Sequence, residues 1–288
     1  MQCYTKNATW AGCREQCELS DWSCGKLGPR TPVWTTMTTT TRTTTIMTFF
    51  CLSVLRESGY EHKVLQAQLQ NRIGIAACDE FALLSSDNFT IEGVRTIYFH
   101  SAPVGVSDMG FAANIKLFVN VWDSVKRDGR FQLFDWTLKV DPDAVLIPER
   151  LRGHLGPYNG HKAYVADCNG HMYGAVEAIS RRALETYYER IDICAQYMWK
   201  NWGEDLYMEK CLDKLGVEKV MDGALVSDSR CGGVNCQDLH AVAFHPFKSK
   251  DEWEACWATA SKNESEVHPQ VPEKSSFRGE VGALAAAL

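Results

Sequence analysis

The sequence predicts an α/β fold in which a mostly parallel sheet is covered by helices on both faces. Short, continuously apolar runs, which are typical of strands buried on both sides, alternate with longer segments that have helical spacing. Such alternation indicates a parallel sheet, because the connecting helices fold back over its faces. With 288 residues, 45% of them apolar, the chain is long enough for one sizeable domain of this class and an appendage.

The elements can be assigned in order from residue 49. The apolar runs predict strands at 49–55, 76–84, 94–99 and 133–140. Apolar residues spaced three and four apart predict helices at 60–73, 110–127, 180–190 and 204–215. The strongest helical pattern belongs to 110–127 and includes Leu117, Phe118 and Val121. Beyond Pro148 the alternation of strands and helices is less regular.

Residues 1–34 form a small unit that is rich in cysteine and tryptophan. The segment has too few apolar residues for a core, so we expect two disulfides among Cys3, Cys13, Cys17 and Cys24. Four cysteines permit three pairings, and the sequence does not choose among them. A zinc site is the alternative, although the spacing lacks the paired C-x2-C pattern of most zinc modules.

Three further segments complete the predicted organisation. Residues 35–48 are mostly threonine, which predicts a linker that is O-glycosylated or simply disordered. Residues 49–262 form the large domain, which we expect to be the functional one. Residues 263–288 are polar and then alanine-rich, and we expect this tail to be partly disordered.

Cysteine content and glycosylation sequons indicate an oxidising, secretory environment. The chain has 12 cysteines, and sequons begin at Asn7, Asn88 and Asn263. A reduced cytosolic protein with incidental thiols is the alternative. The start of the chain does not resemble a signal peptide, so we expect any targeting segment to lie upstream.

Charge and hydropathy exclude two classes of partner. The net charge is −6 and the basic residues form no stripe, which argues against nucleic acid as a main partner. No run of about 20 apolar residues is present, so the sequence predicts no membrane span.

Two carboxylates follow the predicted strand 133–140. Residues 135–145 read Asp-Trp-Thr-Leu-Lys-Val-Asp-Pro-Asp-Ala-Val, so that Asp141 and Asp143 come where the apolar run stops. Open α/β sheets bind ligands at the carboxyl ends of their strands. Two carboxylates at this spacing can hold a hard divalent cation that also contacts a diphosphate. A surface turn is the alternative, since Asp-Pro-Asp also favours turns.

A second acidic pair opens the predicted helix 204–215. Glu204 and Asp205 follow Gly203, and acids at a helix N-terminus are favoured by the helix dipole and by capping. The functional interpretation is a carboxylate base that projects into a pocket beside Trp202. The aromatic face of Trp202 would suit the apolar C–H face of a sugar ring.

Two other segments contain candidate binding residues. His245 stands in Phe-His-Pro-Phe, where it is either a metal ligand or a histidine satisfied within the core. The loop 170–175 is flanked by glycines and contains Tyr173 and Gly174. Such a loop lets a ligand approach the backbone closely, but it is also compatible with a simple turn.

Taken in order, these segments resemble the fringe and core 1 β1,3-galactosyltransferase family. The resemblance covers roughly residues 49–257 and depends on the order of four motifs, each of them short. The motifs are Asp135-Trp136-x-x-Lys139-x-Asp141-x-Asp143, Gly174-Ala175 followed by Ser180-Arg181-x-Ala183-Leu184, Glu204-Asp205-x-x-Met208-x-x-Cys211-Leu212-x-x-Leu215-Gly216-Val217, and Phe244-His245-Pro246-Phe247. Members of this family are inverting, metal-dependent glycosyltransferases of the GT-A fold.

The resemblance implies a role for each matching residue at the donor. Asp143 would ligate the metal, Mn2+ or Mg2+, directly, and Asp141 would lie close to the metal or to the ribose of the nucleotide sugar. His245 would complete the metal coordination. Lys139 belongs to the same donor-binding motif. The donor would be a nucleoside diphosphate sugar, most simply a UDP-linked one.

The resemblance also implies roles at the acceptor. Asp205, with Glu204 as the alternative, would be the base that deprotonates the acceptor hydroxyl of a glycan or glycoprotein. Trp202, Tyr173 and Gly174 would line the acceptor side. Such enzymes work in the Golgi lumen or outside the cell.

Two departures from the family pattern leave other functions open. Pro142 replaces the middle aspartate of the usual Asp-Asp-Asp motif, and the early Thr-Trp signature is absent around 70–77. The donor nucleotide and sugar therefore stay open. The alternatives are a non-catalytic carbohydrate-binding or structural protein on a degenerate scaffold, and a metal-dependent hydrolase.

Overall fold

The computed structural model describes residues 2–7, 10–14, 26–27, 47–107 and 110–267, with side chains for 47–107 and 110–262. The chain divides into two compact units, Met1–Ile46 and Met47–Leu288. In the first unit, three strands form an antiparallel sheet in the order β2-β1-β3, and these strands are β1 Gln2–Asn7, β2 Trp10–Arg14 and β3 Lys26–Leu27.

Several predictions fall on parts of the chain outside this description. The side chains of Cys3, Cys13, Cys17 and Cys24 are outside it, so their predicted pairing stays a prediction. Residues 35–46 of the predicted linker and residues 268–288 of the predicted tail are also outside the described residues.

The second unit contains the remaining strands and all the described helices. Its strands are β4 Phe49–Val54, β5 Glu80–Ser85, β6 Thr90–Ile91, β7 Val94–Arg95, β8 Ile97–Tyr98, β9 Gly105–Val106, β10 Ala112–Ala113, β11 Trp136–Val140, β12 Val145–Leu146, β13 Ala163–Ala166, β14 Val176–Ser180, β15 Glu218–Met221, β16 Val226–Ser227 and β17 Ala243–Phe244. Its helices are α1 Tyr60–Asn71, α2 Ile115–Asp128, α3 Pro148–Leu155, α4 Arg181–Glu189, α5 Ile191–Cys194, α6 Glu204–Lys214 and α7 Lys250–Val267.

Seven strands form the central sheet, in the order β15-β13-β14-β11-β4-β5-β8. All neighbours are parallel except β14, which runs antiparallel to β11 and to β13. A smaller sheet, β12-β17-β16, lies beyond the end of β11, and β6–β7 and β9–β10 are short antiparallel pairs. The sheet is therefore mostly parallel, as predicted.

The strand order contains a topological switch point between β4 and β11. From β4 the chain first adds β5 and β8 on one side, and it then crosses to β11 on the other side. Helix connections leave a crevice at the carboxyl ends of the two strands where the order reverses. The Asp141 and Asp143 carboxylates follow β11 at this position.

Alternate residues of the central strand β4 face two different cores. Phe49 and Cys51 pack with side chains of α1 and α3, whereas Phe50 and Leu52 pack with side chains of α2, α4 and α6. Because both faces are covered by helices, successive residues of β4 are mostly apolar. The predicted fold class, α/β with helices on both faces of a mostly parallel sheet, is confirmed.

Two predicted strands begin later than expected. The strand predicted at 76–84 begins at Glu80, because Gly74–Ala77 forms a 3-10 turn. The strand predicted at 133–140 begins at Trp136, and Leu133 is 75% exposed at the end of another 3-10 turn. An apolar residue in a turn next to a strand cannot be told from the first strand residue by pattern alone.

Two other predicted elements are interrupted. The run 94–99 contains β7 and β8 rather than one strand, and Thr96 between them uses its side-chain Oγ1 to donate to the Asp87 carbonyl at 3.0 Å. The helix predicted at 110–127 begins at Ile115, because β10 pairs with β9. Pairing with the preceding strand overrides the helical pattern at the start of this segment.

Four disulfides cross-link the second unit. They are Cys51–Cys78, Cys168–Cys231, Cys194–Cys211 and Cys236–Cys256. Disulfides of this number are typical of an oxidising environment, either lumenal or extracellular. Among the described residues, no helix combines the length and the apolar character that a membrane span requires.

Candidate functional site

A cleft of ≈1250 Å³ opens at the carboxyl ends of β4 and β11. Residues from several strands, helices and loops of the second unit line it. The loops that follow parallel strands all lie at the same edge of the sheet. Eight of the nine predicted site residues line it, and they are Asp141, Asp143, Tyr173, Gly174, Trp202, Glu204, Asp205 and His245. The ninth, Lys139, is fully buried beneath the cleft floor and contacts three of them.

The Asp-Pro-Asp segment 141–143 is a tight turn fixed on several sides. The Ala144 N–H donates to the Asp141 carbonyl at 3.0 Å. The Gln68 Nε2 donates to the carbonyl of the intervening proline at 3.1 Å, and the Trp253 Nε1 donates to the Ala144 carbonyl at 3.1 Å. Asp143 is only 4% exposed. The segment is therefore a turn, but a buried and anchored one rather than a free surface turn.

Asp141, Asp143 and His245 form a group that can hold a divalent cation. One ligand atom from each lies within 4.8 Å of the other two. The His245 Nε2 is 3.6 Å from the Asp143 Oδ1. Carboxylate oxygens and one imidazole nitrogen suit Mn2+, and carboxylates also suit Mg2+. The donor chemistry of these side chains thus fits the predicted metal.

The orientation of His245 is set by Asp228, which the sequence did not reveal. The Asp228 Oδ2 lies 2.8 Å from the His245 Nδ1, which leaves Nε2 directed at Asp143. Burial raises the pKa of Asp228, but hydrogen bonds from the Arg230 backbone N–H and from His245 outweigh burial and lower that pKa overall. Asp228 follows the two-residue strand β16, which is too short to leave a readable pattern.

A second group with metal-like spacing does not offer the ligands that it suggests. Asp167, Cys168 and Cys231 also lie within 4.8 Å of one another. The two cysteines are joined in a disulfide, so neither can provide the thiolate that binds metal.

Lys139 connects the two acidic groups of the cleft. Its Nζ lies 2.5 Å from the Gly174 carbonyl, 2.7 Å from the Asp141 Oδ1, 3.1 Å from the Glu204 Oε1 and 3.5 Å from the Glu177 Oε1. Burial lowers the pKa of Lys139, but the surrounding carboxylates outweigh burial and raise that pKa well above its usual value. The ammonium therefore stays charged within the protein.

Glu204 and Asp205 lie side by side but in different electrostatic environments. Burial raises the pKa of Glu204, yet the Lys139 ammonium outweighs it and lowers that pKa. Burial and then the Glu204 charge raise the pKa of Asp205. The Asp205 carboxylate also accepts from the Gly174 N–H at 3.2 Å and from the Leu206 N–H at 2.7 Å. Asp205 is thus the better proton acceptor of the two.

The three predicted acceptor-side residues lie in different parts of the cleft. The Trp202 ring is tilted by 31° against that of Tyr197, with ring centroids 5.8 Å apart, and Trp202 is close to the acidic pair in sequence. A Cβ at Gly174 would lie 3.0 Å from the Glu204 Oε1, so that glycine allows the close approach. Tyr173 lies beside His245, and the ring centroids of the two residues are 5.9 Å apart.

Further cleft residues were missing from the sequence prediction. The Tyr60 hydroxyl donates to the Asp143 Oδ2 at 3.4 Å, and the Asn114 Oδ1 accepts from the Glu204 backbone N–H at 2.8 Å. The Arg230 guanidinium lies 4.4 Å from the ring centroid of Tyr173. None of these residues belongs to a local motif, so only their convergence in space identifies them.

No model of a known protein family matches the sequence, and no curated protein matches it. Among solved structures, the chain is similar to a glycosyltransferase involved in the glycosylation of the major capsid of PBCV-1, with 12% identity, a TM-score of 0.43, and coverage of 73% of this chain and 98% of that chain. It is similar to a cytidylyltransferase from Leptospira borgpetersenii serovar Hardjo-bovis, with 11% identity, a TM-score of 0.38, and coverage of 80% and 99%. The galactosyltransferase LgtC, in complex with donor and acceptor sugar analogs, matches with 11% identity, a TM-score of 0.37, and coverage of 78% and 98%. At these identities and TM-scores, none of the likenesses assigns a function to the chain.

Proposed function

We propose that this chain is a metal-dependent, inverting glycosyltransferase of the GT-A class. The observation that carries the proposal is the composition of one cleft at the topological switch point. A carboxylate–imidazole group and a partly buried acidic pair lie in this cleft, and the Lys139 ammonium contacts both. An inverting sugar transfer needs these two functions, cation-assisted departure of a diphosphate and a base for the acceptor hydroxyl.

At the donor end, Asp141, Asp143 and His245 would hold a divalent cation, Mn2+ or Mg2+. A cation bound there neutralises the negative charge of the leaving diphosphate. Asp228 fixes the imidazole of His245 through the 2.8 Å contact, and the anchored turn fixes the carboxylates. Preorganised ligands of this kind do not have to reorient when the cation binds.

At the acceptor end, Asp205 would accept the proton of the acceptor hydroxyl. The acceptor oxygen forms a bond with the anomeric carbon, the bond from that carbon to the diphosphate breaks, and its electron pair leaves with the diphosphate. The pKa of Asp205 is raised by burial and by Glu204, which makes its carboxylate a stronger base. Glu204 would remain paired with Lys139.

The finer assignments follow the motif resemblance. We infer that the donor is a UDP-linked hexose and that the acceptor is a glycan or glycoprotein whose sugar ring lies against Trp202. The four disulfides support a lumenal or extracellular setting, and a Golgi enzyme is the simplest case. Membership of the fringe and core 1 β1,3-galactosyltransferase family is part of this proposal.

Calorimetry with UDP, in the presence and absence of Mn2+, tests the proposal. We expect wild-type protein to bind UDP strongly only with Mn2+, and Asp143→Ala to abolish this metal-dependent binding. Asp143→Asn is the control for folding, and we expect its melting temperature to stay near that of the wild type. If Asp143→Ala binds UDP and Mn2+ as well as the wild type does, the metal assignment is wrong.

Calorimetric titration with oligosaccharides, in addition to UDP and Mn2+, distinguishes the alternative function. A non-catalytic carbohydrate-binding protein on this scaffold would bind oligosaccharides without any need for UDP or Mn2+. Wild-type protein that binds neither UDP nor Mn2+ would contradict the transferase proposal.

A further inference from the structure

Glu177 is a buried carboxyl group that the proposed reaction does not use. It is the second residue of β14, directly across from Lys139 of β11, and it is 0% exposed. Neither of its carboxyl oxygens has a hydrogen-bond partner among the described residues. A buried carboxyl without a donor costs free energy, and an apolar residue of similar volume would normally be more stable there.

The number of ammonium protons explains why Glu177 has no donor. Lys139 offers three N–H groups. Three oxygens already lie at hydrogen-bond distance from its Nζ: the Gly174 carbonyl at 2.5 Å, the Asp141 Oδ1 at 2.7 Å and the Glu204 Oε1 at 3.1 Å. The Glu177 Oε1 lies 3.5 Å from the Nζ and is a fourth oxygen within ion-pair distance. No ammonium proton remains to form a hydrogen bond with it.

Binding of a divalent cation would change which oxygens the Lys139 ammonium contacts. Asp141 is one of the three side chains that can hold the cation, and its Oδ1 is the oxygen that Lys139 contacts. A divalent cation and an ammonium group repel each other and compete for the same carboxylate. If the ammonium withdraws from Asp141, one buried N–H needs another acceptor, because an unsatisfied charged donor in the interior is expensive.

We propose that Glu177 is a positioning residue that accepts the Lys139 ammonium when Asp141 binds a divalent cation. The inference rests on the proposed metal site. The 3.5 Å separation has to shorten only to the ~2.8 Å of a charge-assisted hydrogen bond. Lys139 would keep its contacts with Gly174 and Glu204, so cation binding would not leave the acidic pair without its counter-charge.

The electrostatics of Glu177 agree with this role. Burial raises its pKa to about 8, against the lowering effect of Lys139. Burial thus favours the uncharged carboxyl while no donor reaches it, and a closer approach of the Lys139 ammonium would favour the carboxylate.

Calorimetric titration of Mn2+ into the wild type and into the variants Glu177→Met and Glu177→Gln tests the proposal. Glu177→Met keeps the volume but removes the acceptor, whereas Glu177→Gln keeps an acceptor oxygen without the charge. We expect Glu177→Met to weaken Mn2+ binding by about 10–100-fold, the usual effect of removing an outer partner of a metal ligand. We expect Glu177→Gln to lose much less. Equal losses in the two variants would indicate only a distant charge effect, and no loss in either would exclude a role. Both results overturn the proposal.

A crystal structure of the wild type with Mn2+ is an independent measurement that needs no variant. We expect the Lys139 Nζ within about 2.8 Å of the Glu177 Oε1 and withdrawn from the Asp141 Oδ1. An Nζ that stays on Asp141 beside bound Mn2+ overturns the proposal. If the wild type binds no Mn2+, the metal site fails and the role of Glu177 fails with it. Normal Mn2+ binding in the wild type, with no difference between the two variants, contradicts the role of Glu177 alone.

Discussion

At the residue scale, two adjacent acids have opposite electrostatic environments. Glu204 contacts the Lys139 ammonium at 3.1 Å and has a lowered pKa. Asp205 is held by two backbone N–H groups and has a raised pKa. Two carboxyl groups whose pKa values are driven apart are suited to two different tasks. Glu204 is suited to neutralising the Lys139 ammonium, and Asp205 is suited to accepting a proton.

The first prediction separates the structural and catalytic roles of Asp205. A helix-start acid contributes on the order of 1 kcal/mol to stability, whereas a general base contributes roughly 10²–10⁴-fold to turnover. We expect Asp205→Asn to keep UDP affinity and to lose transfer activity. Its free energy of unfolding should fall by no more than about 1 kcal/mol, the net contribution of one hydrogen bond. Thermal melting, calorimetry and a transfer assay measure the three quantities.

Glu204→Gln is the matched comparison. A variant Asp205→Asn that melts earlier but transfers sugar normally would leave Asp205 only a structural role. If the loss of transfer appears in Glu204→Gln and not in Asp205→Asn, the base is Glu204.

Asp167 makes stability depend on pH. It is 2% exposed, and burial raises its pKa from 3.8 to about 6. Because the folded state binds this proton more tightly than the unfolded state, the free energy of unfolding falls as pH rises from about 4 to about 6. Above that window the unfavourable contribution remains.

We expect Asp167→Asn to flatten this pH dependence and to be more stable than the wild type near pH 7. Urea unfolding at several pH values between 4 and 7 measures the difference between the two proteins. The exposed Asp87, which follows β5 and lies in no helix, provides a control, Asp87→Asn, which should follow the wild type. Parallel curves for Asp167→Asn and the wild type would show that Asp167 is not the group responsible.

At the element scale, one serine joins a strand to a helix. Ser180 ends β14 and is the N-cap residue of α4. Its Oγ accepts from the Ala183 N–H at 3.3 Å and from the Ala163 N–H at 2.9 Å, and the residue is 2% exposed. Its register opposite Trp136 places it at the edge of the sheet away from the cleft.

We expect Ser180→Ala to lower the free energy of unfolding by about 1–2 kcal/mol, since two buried N–H groups lose their acceptor. Mn2+ binding should not change. The exposed Ser58 offers a control, Ser58→Ala, with an effect near zero. Denaturant unfolding measures both variants, and equal stabilities of the two would remove the capping role of Ser180.

At the scale of the whole molecule, the second unit has what an independent domain requires. It contains the seven-stranded sheet, the cores on both faces and four disulfides. The Cys168–Cys231 bridge joins cysteines 63 positions apart. Closing a loop of that length stabilises a protein by about 4 kcal/mol in the chain-entropy model.

We therefore expect a protein lacking residues 1–46 to melt cooperatively, near the melting temperature of the full chain. Differential scanning calorimetry of the two proteins measures this. Loss of the cooperative transition in the shortened protein would contradict an independent second unit. Mass mapping of non-reduced peptides shows whether the cysteines before residue 25 pair only with one another.

The sequence by itself determined the fold class and the members of the cleft that belong to motifs. Strands buried on both faces are mostly apolar, so the sequence pattern predicted β4 and β11, although β11 also contains the buried Lys139. The Asp141 and Asp143 carboxylates are legible because they stand where such a run stops. Strand and helix boundaries were less certain, as Leu133 shows, since turns next to a strand are also apolar.

Only the tertiary structure decided which residues support that cleft. Asp228 reaches His245, and Glu177 faces Lys139 across two strands, although neither pair is close in sequence. The sequence pattern also could not predict the four disulfide pairings or the different pKa shifts of Glu204 and Asp205. The physical reason is common to all of them. Hydrogen bonds, charge interactions and burial depend on distances in space, and folding alone brings these distant residues together.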